Sequence, residues 1–194
     1  MWPKKKPKGK SLKINLKAAT DVGKKRTHNE DAYLALGEEQ SPLGASAVLL
    51  VADGMGGHAA GDVASGMTKE RTGVLLLAEG KELKELSDPS FATSLGDVLR
   101  QVNREVYKAA QEPEQNGMGT TCTLAVIRKT KLFLAHIGDS RAYLFREGKL
   151  HQITTDHSWV EEEVAGGRLS REMARVHPRR NIITKAIGIE PEAE

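Results

Sequence analysis

Residues 47–58 read Ala-Val-Leu-Leu-Val-Ala-Asp-Gly-Met-Gly-Gly-His, an apolar run that passes through one carboxylate into a glycine-rich loop. The apolar part is too short for a helix and indicates a buried β-strand. Asp53 then stands at the strand end, where the sheet fixes its position. The glycines after it let the backbone, including a carbonyl group, approach a ligand closely. An ordinary turn also uses Asp-Gly, whereas the lack of a following Lys-Ser or Lys-Thr excludes a Walker A loop.

The sequence on either side predicts strands, then two helices, then strands again. Alternating apolar residues predict a half-buried strand over 12–18, and a second strand is expected over 32–36. Helical spacing predicts one helix over 59–78 and another that starts near Pro89. Short strands are expected over 120–127, 131–137, 141–145 and 150–153, joined as an antiparallel meander. This order favours an α+β domain in which helices cover a sheet.

Composition restricts the class of protein further. The chain has 194 residues, a length typical of one domain, and its single cysteine, Cys122, excludes an internal disulfide framework. A net charge of +3 is too small to indicate nucleic acid binding. Residues 1–12 are rich in lysine and are expected to form a basic disordered tail; an anionic partner such as nucleic acid or a lipid surface is the alternative. With neither a signal peptide nor a membrane span, we expect a soluble, cytoplasmic protein.

Two other clusters combine acids with residues that bind anions. Arg26-Thr27-His28-Asn29-Glu30-Asp31 places a guanidinium suited to phosphate before two adjacent carboxylates. Such carboxylates are either surface charges or holders of hard cations and their waters. Gly138-Asp139-Ser140-Arg141 lies in a tight turn between two apolar strands. Each cluster taken alone is common in loops of no special function.

Together, in order, these segments resemble the bacterial protein phosphatase 2C (PPM) family. The matching motifs are residues 26–31, residues 51–58, Gly119-Thr120-Thr121, residues 137–143 and Thr155-Asp156-His157-Ser158, within a resemblance that runs from about residue 18 to residue 188. The resemblance implies a four-layer αββα sandwich with metals bound at one end of its two sheets. It also implies hydrolysis of phosphoserine or phosphothreonine in proteins, with no nucleic acid partner and a monomeric state.

The resemblance assigns roles to individual residues. Two Mg²⁺ or Mn²⁺ ions are expected, together with a third ion that binds more weakly. Asp53 is expected to bridge two metals, with the Gly54 carbonyl on one of them, while Glu30 and Asp31 hold metals or their waters. Arg26 is expected to grip the substrate phosphate, and Asp139 to help hold the third ion. Thr120 and Thr121 are expected to be core-strand residues that position the site.

Met55 occupies the place where eukaryotic members of the family have a histidine. Bacterial relatives have a methionine there, as this chain does. His58 lies three residues further on, so alignment cannot give it the general-acid role of that histidine. Two interpretations of His58 remain open, a loop histidine bonded to backbone and a catalytic one.

Residues 158–181 correspond to the mobile flap of the family. Some of the arginines in this segment are expected to meet an acidic phosphopeptide, and those considered are Arg168, Arg171, Arg175, Arg179 and Arg180. The alternative is a solvated helix face on which these arginines pair with Glu161, Glu162, Glu163 and Glu172.

The family pattern continues beyond a segment like residues 184–188 with two more metal-binding aspartates, and this chain has no aspartate after Asp156. The sandwich is therefore expected to be incomplete at its C-terminal strands, with residues 13–194 forming a partial domain. One hypothesis is that the chain is a fragment of a longer protein with the family activity. The other is a short natural form that acts as a catalytically impaired binding or regulatory module.

Overall fold

The computed structural model of the chain describes residues 13–41, 43–56 and 60–193. The strands are β1 (Asp31–Gly37), β2 (Ala47–Met55), β3 (Gly119–Thr120), β4 (Cys122–Arg128), β5 (Lys131–Ile137), β6 (Tyr143–Arg146) and β7 (Lys149–Gln152). The helices are α1 (Ala60–Ala78), α2 (Gly80–Glu85), α3 (Asp88–Ala109), α4 (Trp159–Ala165) and α5 (Arg171–Val176), with a 3-10 turn at Pro113–Gln115. The predicted basic tail and His58 lie outside the described residues.

The larger sheet is antiparallel and has the order β1-β2-β4-β5, with the short β3 paired to the end of β2. The predicted strand over the apolar run is therefore confirmed, but β2 is longer than its apolar residues and ends at Met55. Asp53 consequently lies inside the paired part of the strand. The run is also not buried on both faces, because Val51 is 47% exposed on the face opposite the helices.

Two long helices pack on one face of this sheet. The face of α3 follows the predicted spacing, with Phe91, Leu95, Val98, Leu99, Val102 and Val106 all buried. Pro89 occupies the first turn of α3, as its sequence context predicts. These residues form one core with the inward side chains of β2 and β4. The α+β class predicted from the sequence is confirmed.

Helix α1 exists where predicted, but its buried face is not the one that carries its valines. Val63 and Val74 are 41% and 44% exposed, whereas small residues such as Ala64, Ser65 and Thr68 are buried against the sheet. The reason is a close approach between the first turn of α1 and the end of β2. A Cβ atom built on Gly54 would lie 2.0 Å from the carbonyl oxygen of Gly61, so both positions require glycine. Side chains larger than alanine or threonine do not fit between surfaces so close.

The strand predicted over residues 12–18 is wrong for the described part of that segment. Residues 13–18 keep the alternation, with Ile14 and Leu16 half-buried, but they adopt no strand. Alternating apolar residues give a strand only where a neighbouring strand supplies hydrogen bonds, and no such pairing reaches these residues within the described chain.

The predicted meander is interrupted in two places. The strand expected over 120–127 divides at Thr121 into β3 and β4. The hairpins β4-β5 and β6-β7 form as predicted, but β6 leaves the large sheet and pairs only with β7. Gly138 explains the departure, because its φ of +106° turns the chain away after β5. Helix α2 is an element that the sequence did not predict.

Within the part of the chain that the structure describes, no helix combines the length and apolar character needed to cross a bilayer.

Thr72 provides a test of how α1 packs in the core. Its hydroxyl is fully buried and finds no hydrogen-bond partner among the described residues. Valine has nearly the same shape and no group to desolvate, so Thr72→Val should raise the free energy of unfolding by about 1 kcal/mol. Urea denaturation measures the difference. Thr93→Val, at a helix hydroxyl that bonds to the Pro89 carbonyl, is the control; a loss of stability in Thr72→Val would contradict the packing described.

Candidate active site

An acidic cleft lies at the end of the sheet where β1 begins and β2 finishes. The register of the two strands places Asp31 directly opposite Asp53, and residues so paired have Cβ atoms roughly 4.5–5.5 Å apart. Because they are opposite, both carboxylates lie on the same face of the sheet. The cleft has a volume of about 220 Å³ and is lined by Asp21, Val22, Arg26, His28, Asn29, Glu30, Asp31 and Asp53. Two of the three predicted clusters therefore meet in one place.

The loop before β1 is ordered by hydrogen bonds that the sequence did not predict. The side-chain oxygen of Asn29 accepts a hydrogen bond of 3.0 Å from the Asp31 N–H, and its amide donates to the Thr20 hydroxyl at 2.7 Å. The Gly54 N–H donates to the carbonyl of Glu30 at 3.0 Å. An asparagine two residues before a strand carboxylate is a recognisable turn signal, and it indicates why Asp31 is held so firmly.

Arg26 and Glu30 form an ion pair at the mouth of the cleft, with 2.7 Å between Nη1 and Oε2. The Arg26 side chain is 63% exposed, whereas that of Glu30 is 17% exposed and contacts the first turn of α1 at Gly61. Glu30 is thus fixed and holds one edge of the guanidinium. The other N–H groups of the mostly exposed guanidinium face solvent and are accessible to an anion.

Asp53 has a carboxylate whose pKa departs strongly from its ordinary value. Its side chain meets solvent on one side, but burial on the other is the largest cause that raises its pKa to about 6. The charges of Asp31 and Asp139 raise the pKa further, and Arg26 opposes them. Three carboxylates therefore repel one another here without enough positive charge to compensate.

Asp139 lies on the 138–140 turn, which connects β5 to β6. It is half-buried and also lines a larger polar cleft of about 750 Å³ between the β6-β7 hairpin and the predicted flap. The turn is bonded on one side to Thr121 and on the other to His157. The sequence had given no role to His157 or Ser140, although both belong to quoted motifs. Their contacts depend on residues distant along the chain, which no local pattern reveals.

The residues of the cleft fit a hard divalent cation. Carboxylate and carbonyl oxygens are the ligands that Mg²⁺ and Mn²⁺ prefer. Burial is the largest cause of the raised pKa of Asp53, and the charges of Asp31 and Asp139 add to it a repulsion that a cation would relieve. Within residues 13–41, 43–56 and 60–193, no group of three or more Asp, Glu, His or Cys side chains could hold an ion by itself. Mg²⁺ commonly binds one or two protein carboxylates and keeps several waters. Asp31 and Asp53 can provide these two carboxylates.

The flap segment contains α4 and α5, and its arginines divide into two groups. Arg168 pairs with Glu163 at 2.8 Å and Arg171 with Glu161 at 3.1 Å, as the solvated-face alternative anticipates. Arg179 lies over the Trp159 ring, with 5.1 Å from Cζ to the ring centroid. Arg175 and Arg180 form no ion pair with another described residue. Both line the polar cleft that also contains Asp139.

Comparison with known proteins places this geometry in a family. Residues 17–177 match the sequence pattern described as Protein phosphatase 2C. The chain is 40% identical over 179 residues to "Serine/threonine phosphatase stp" of Listeria welshimeri, covering 90% of this chain and 67% of the relative. It is 36% identical over 181 residues to "Protein phosphatase PhpP" of Streptococcus pneumoniae, covering 93% and 70% respectively.

Solved structures give the same result. Serine/threonine phosphatase Stp1 from Staphylococcus aureus superposes with a TM-score of 0.81 at 34% identity, covering 95% of this chain and 71% of that one. The serine/threonine phosphatase PstP/Ppp of Mycobacterium tuberculosis does so with a TM-score of 0.69 at 37% identity, covering 90% and 68%. The fold expected from the motif order is thereby confirmed. This chain belongs to the protein phosphatase 2C family of serine/threonine phosphatases.

Proposed function

We propose that the chain carries the substrate and metal site for hydrolysis of phosphoserine or phosphothreonine in proteins, with divalent cations as cofactors. The observation that carries this proposal is the meeting of Asp31 and Asp53 beside Arg26 in one cleft. Carboxylates for cations and a guanidinium for phosphate are the two chemistries that hydrolysis of a phosphoester requires.

Two Mg²⁺ or Mn²⁺ ions are the cofactors proposed for this cleft. Asp53 would contact both, the Gly54 carbonyl one of them, and Asp31 and Glu30 the ions or their waters. Asp139 is proposed to contribute to a third, weaker site, which its influence on the pKa of Asp53 supports. When bound, such ions neutralise phosphate charge and supply an activated water as nucleophile. The strand pairing between Asp31 and Asp53 keeps the protein ligands at a fixed spacing.

Arg26 is proposed to bind the substrate phosphate through paired hydrogen bonds. Glu30 orients its guanidinium through Nη1 while the remaining N–H groups face solvent. Binding of the substrate phosphate therefore needs no change in the Arg26–Glu30 pair. A planar guanidinium also fixes the rotation of the phosphate, which a lysine would not do.

Arg175 and Arg180 are proposed to contact the protein part of the substrate. They have no ion pair with described residues and line the same polar cleft as Asp139. An acidic residue beside the phosphorylated one would complement their charge. Arg171 and Arg179, which the sequence also suggested, already contact Glu161 and Trp159 and are available only if those contacts break.

Phosphorylated proteins are accordingly the proposed partners, acted on by a monomer in the cytoplasm. The alternative of a catalytically impaired binding module receives no support from the comparisons, since the matched relatives are named as phosphatases. A nucleic-acid or lipid role for residues 1–12 has no supporting observation in the described chain.

Asp53→Asn tests the proposed metal-dependent activity. With Mn²⁺ present, the chain should release phosphate from a phosphothreonine peptide, and EDTA should abolish the release. Asp53→Asn removes a charge from the cation site and should lower the rate at least ~100-fold, equivalent to about 3 kcal/mol. Asp97→Asn, at an exposed carboxylate of α3, is the matched control. Absence of both Mn²⁺-dependent release and an Mn²⁺-dependent rise in unfolding temperature would refute the proposal.

The pH dependence of stability tests the electrostatics of the cleft without metal. The pKa of Asp53 rises from 3.8 to about 6 on folding, so its proton stabilises the fold below about pH 4, and this stability is lost as pH rises through 6. In EDTA, the free energy of unfolding of Asp53→Asn, relative to that of the unsubstituted chain, should therefore rise by about 1 kcal/mol between pH 4 and pH 7.5. This figure is reduced for solvent screening. Urea denaturation at both pH values measures this, and a constant difference would contradict the raised pKa.

Substrate contact by the flap is tested with a peptide and a small molecule. The double variant Arg175→Ala/Arg180→Ala should raise KM for a phosphothreonine peptide with acidic flanking residues by roughly 10-fold. The reason is that each exposed charge pair lost contributes up to about 1 kcal/mol to binding. KM for p-nitrophenyl phosphate should not change, because it has no flanking residues. Arg168→Ala, which breaks the pair with Glu163, is the control. Equal effects on both substrates would exclude the proposed contact.

A further inference from the structure

We propose that the hydroxyl of Thr121 is the positioning group that couples Asp53 to the 138–140 turn, and that it thereby sets the cation affinity of the acidic cleft. The inference rests on the proposed metal site and adds to it a residue that touches no cation. It identifies the contact that fixes the distance between Asp53 and the turn that carries Asp139.

The first half of the coupling is made to the backbone of Asp53. Thr121 lies between β3 and β4 and is 1% exposed. Its Oγ1 accepts a hydrogen bond of 2.9 Å from the Asp53 N–H, and its own N–H donates to the Asp53 carbonyl at 3.0 Å. Both backbone groups of Asp53 are thus bonded to one residue. These two bonds hold the backbone of Asp53 against Thr121.

The second half is made to the turn that carries Asp139. Oγ1 of Thr121 and Oγ of Ser140 are 2.7 Å apart, within hydrogen-bond distance. The turn also packs directly on Thr121, since a Cβ atom on Gly138 would lie 2.6 Å from the Cβ of Thr121. The positive φ of Gly138 and this contact both require glycine. The neighbours of Asp139 on either side therefore rest on the same threonine.

Other contacts fasten the turn but do not reach Asp53. The Thr123 hydroxyl donates to the Ser140 carbonyl at 3.1 Å. The Gly138 N–H donates to Nδ1 of His157 at 3.1 Å, and the His157 N–H donates to the Gly138 carbonyl at 2.8 Å. Among the residues that the structure describes, Thr121 is the one bonded both to Asp53 and to the turn. Its hydroxyl is the link through which the spacing of the two segments is transmitted.

Cation ligands tolerate little error in position. Mg²⁺ requires oxygens at about 2.0–2.1 Å in near-octahedral geometry, and sites lose function when their supporting residues allow about 1 Å of freedom. Loss of hydrogen-bonded partners behind metal ligands typically costs 10- to 100-fold in affinity. Removing the Thr121 hydroxyl should therefore weaken cation binding without removing a ligand.

The test compares Thr121→Val, which keeps the shape and loses the hydroxyl, with Thr121→Ser, which keeps the hydroxyl. Isothermal titration of Mn²⁺ into the metal-free chain should show affinity weaker by about 10- to 100-fold for Thr121→Val. Thr121→Ser should remain close to the unsubstituted chain. Thr72→Val removes a buried hydroxyl far from the cleft and should leave Mn²⁺ affinity unchanged, which controls for the threonine-to-valine change itself.

Ser140→Ala breaks the same link from the other side at a half-buried position, so it carries the test if Thr121→Val does not fold. It should weaken Mn²⁺ binding in the same direction, and in the double variant the two effects should not add. The inference is overturned if Ser140→Ala leaves Mn²⁺ affinity unchanged and Thr121→Val either leaves it unchanged or does not fold. Failure of the unsubstituted chain to bind Mn²⁺ would instead refute the proposed metal site, so the two failures are distinguishable.

Discussion

The antiparallel pairing of β1 with β2 is the constraint on which the rest of the molecule depends. It places Asp31 opposite Asp53, and β2 also receives β4 along its other edge and β3 at its end. A shift of one residue in this register would move Asp53 to the other face of the sheet. The positions of the helices, the core and the acidic cleft therefore all depend on one central strand, β2. The 138–140 turn contacts this strand through Thr121. The turn also bonds to His157, which directly precedes the flap segment.

Much of the fold could be predicted from local sequence. The spacing of Phe91, Leu95 and Val102 gives α3 and its buried face, and the apolar run before Asp53 gives β2. The buried face of α1 was not predictable, because hydrophobicity favours Val63 and Val74 while the close approach of helix and strand selects small residues. The alternation over residues 13–18 failed for a related reason, since pairing depends on a partner and not on the segment itself.

The candidate site shows the same division. The acids and Arg26 were identifiable because ordered motifs carry them, and the structure brings Arg26, Glu30, Asp31 and Asp53 into one cleft. The resemblance implied a positioning role for Thr121, but the contacts that hold the acids in place were not identifiable from the sequence. Thr121 reaches Asp53 across 68 positions of sequence and His157 reaches Gly138 across 19, so only the folded chain shows them. The flap arginines were likewise equivalent in sequence. The ion pairs of Arg168 and Arg171 and the contact of Arg179 with the Trp159 ring separate them from Arg175 and Arg180.

The contact between Gly54 and Gly61 has a consequence for how this chain can vary. Each glycine leaves room only for the backbone of the other, and Gly61 also borders the Glu30 side chain. A mutation at either position displaces the start of α1 from the strand that carries Asp53, and a second mutation at the other glycine would enlarge the displacement. Space alone therefore confines both positions to glycine, apart from the role proposed for the Gly54 carbonyl.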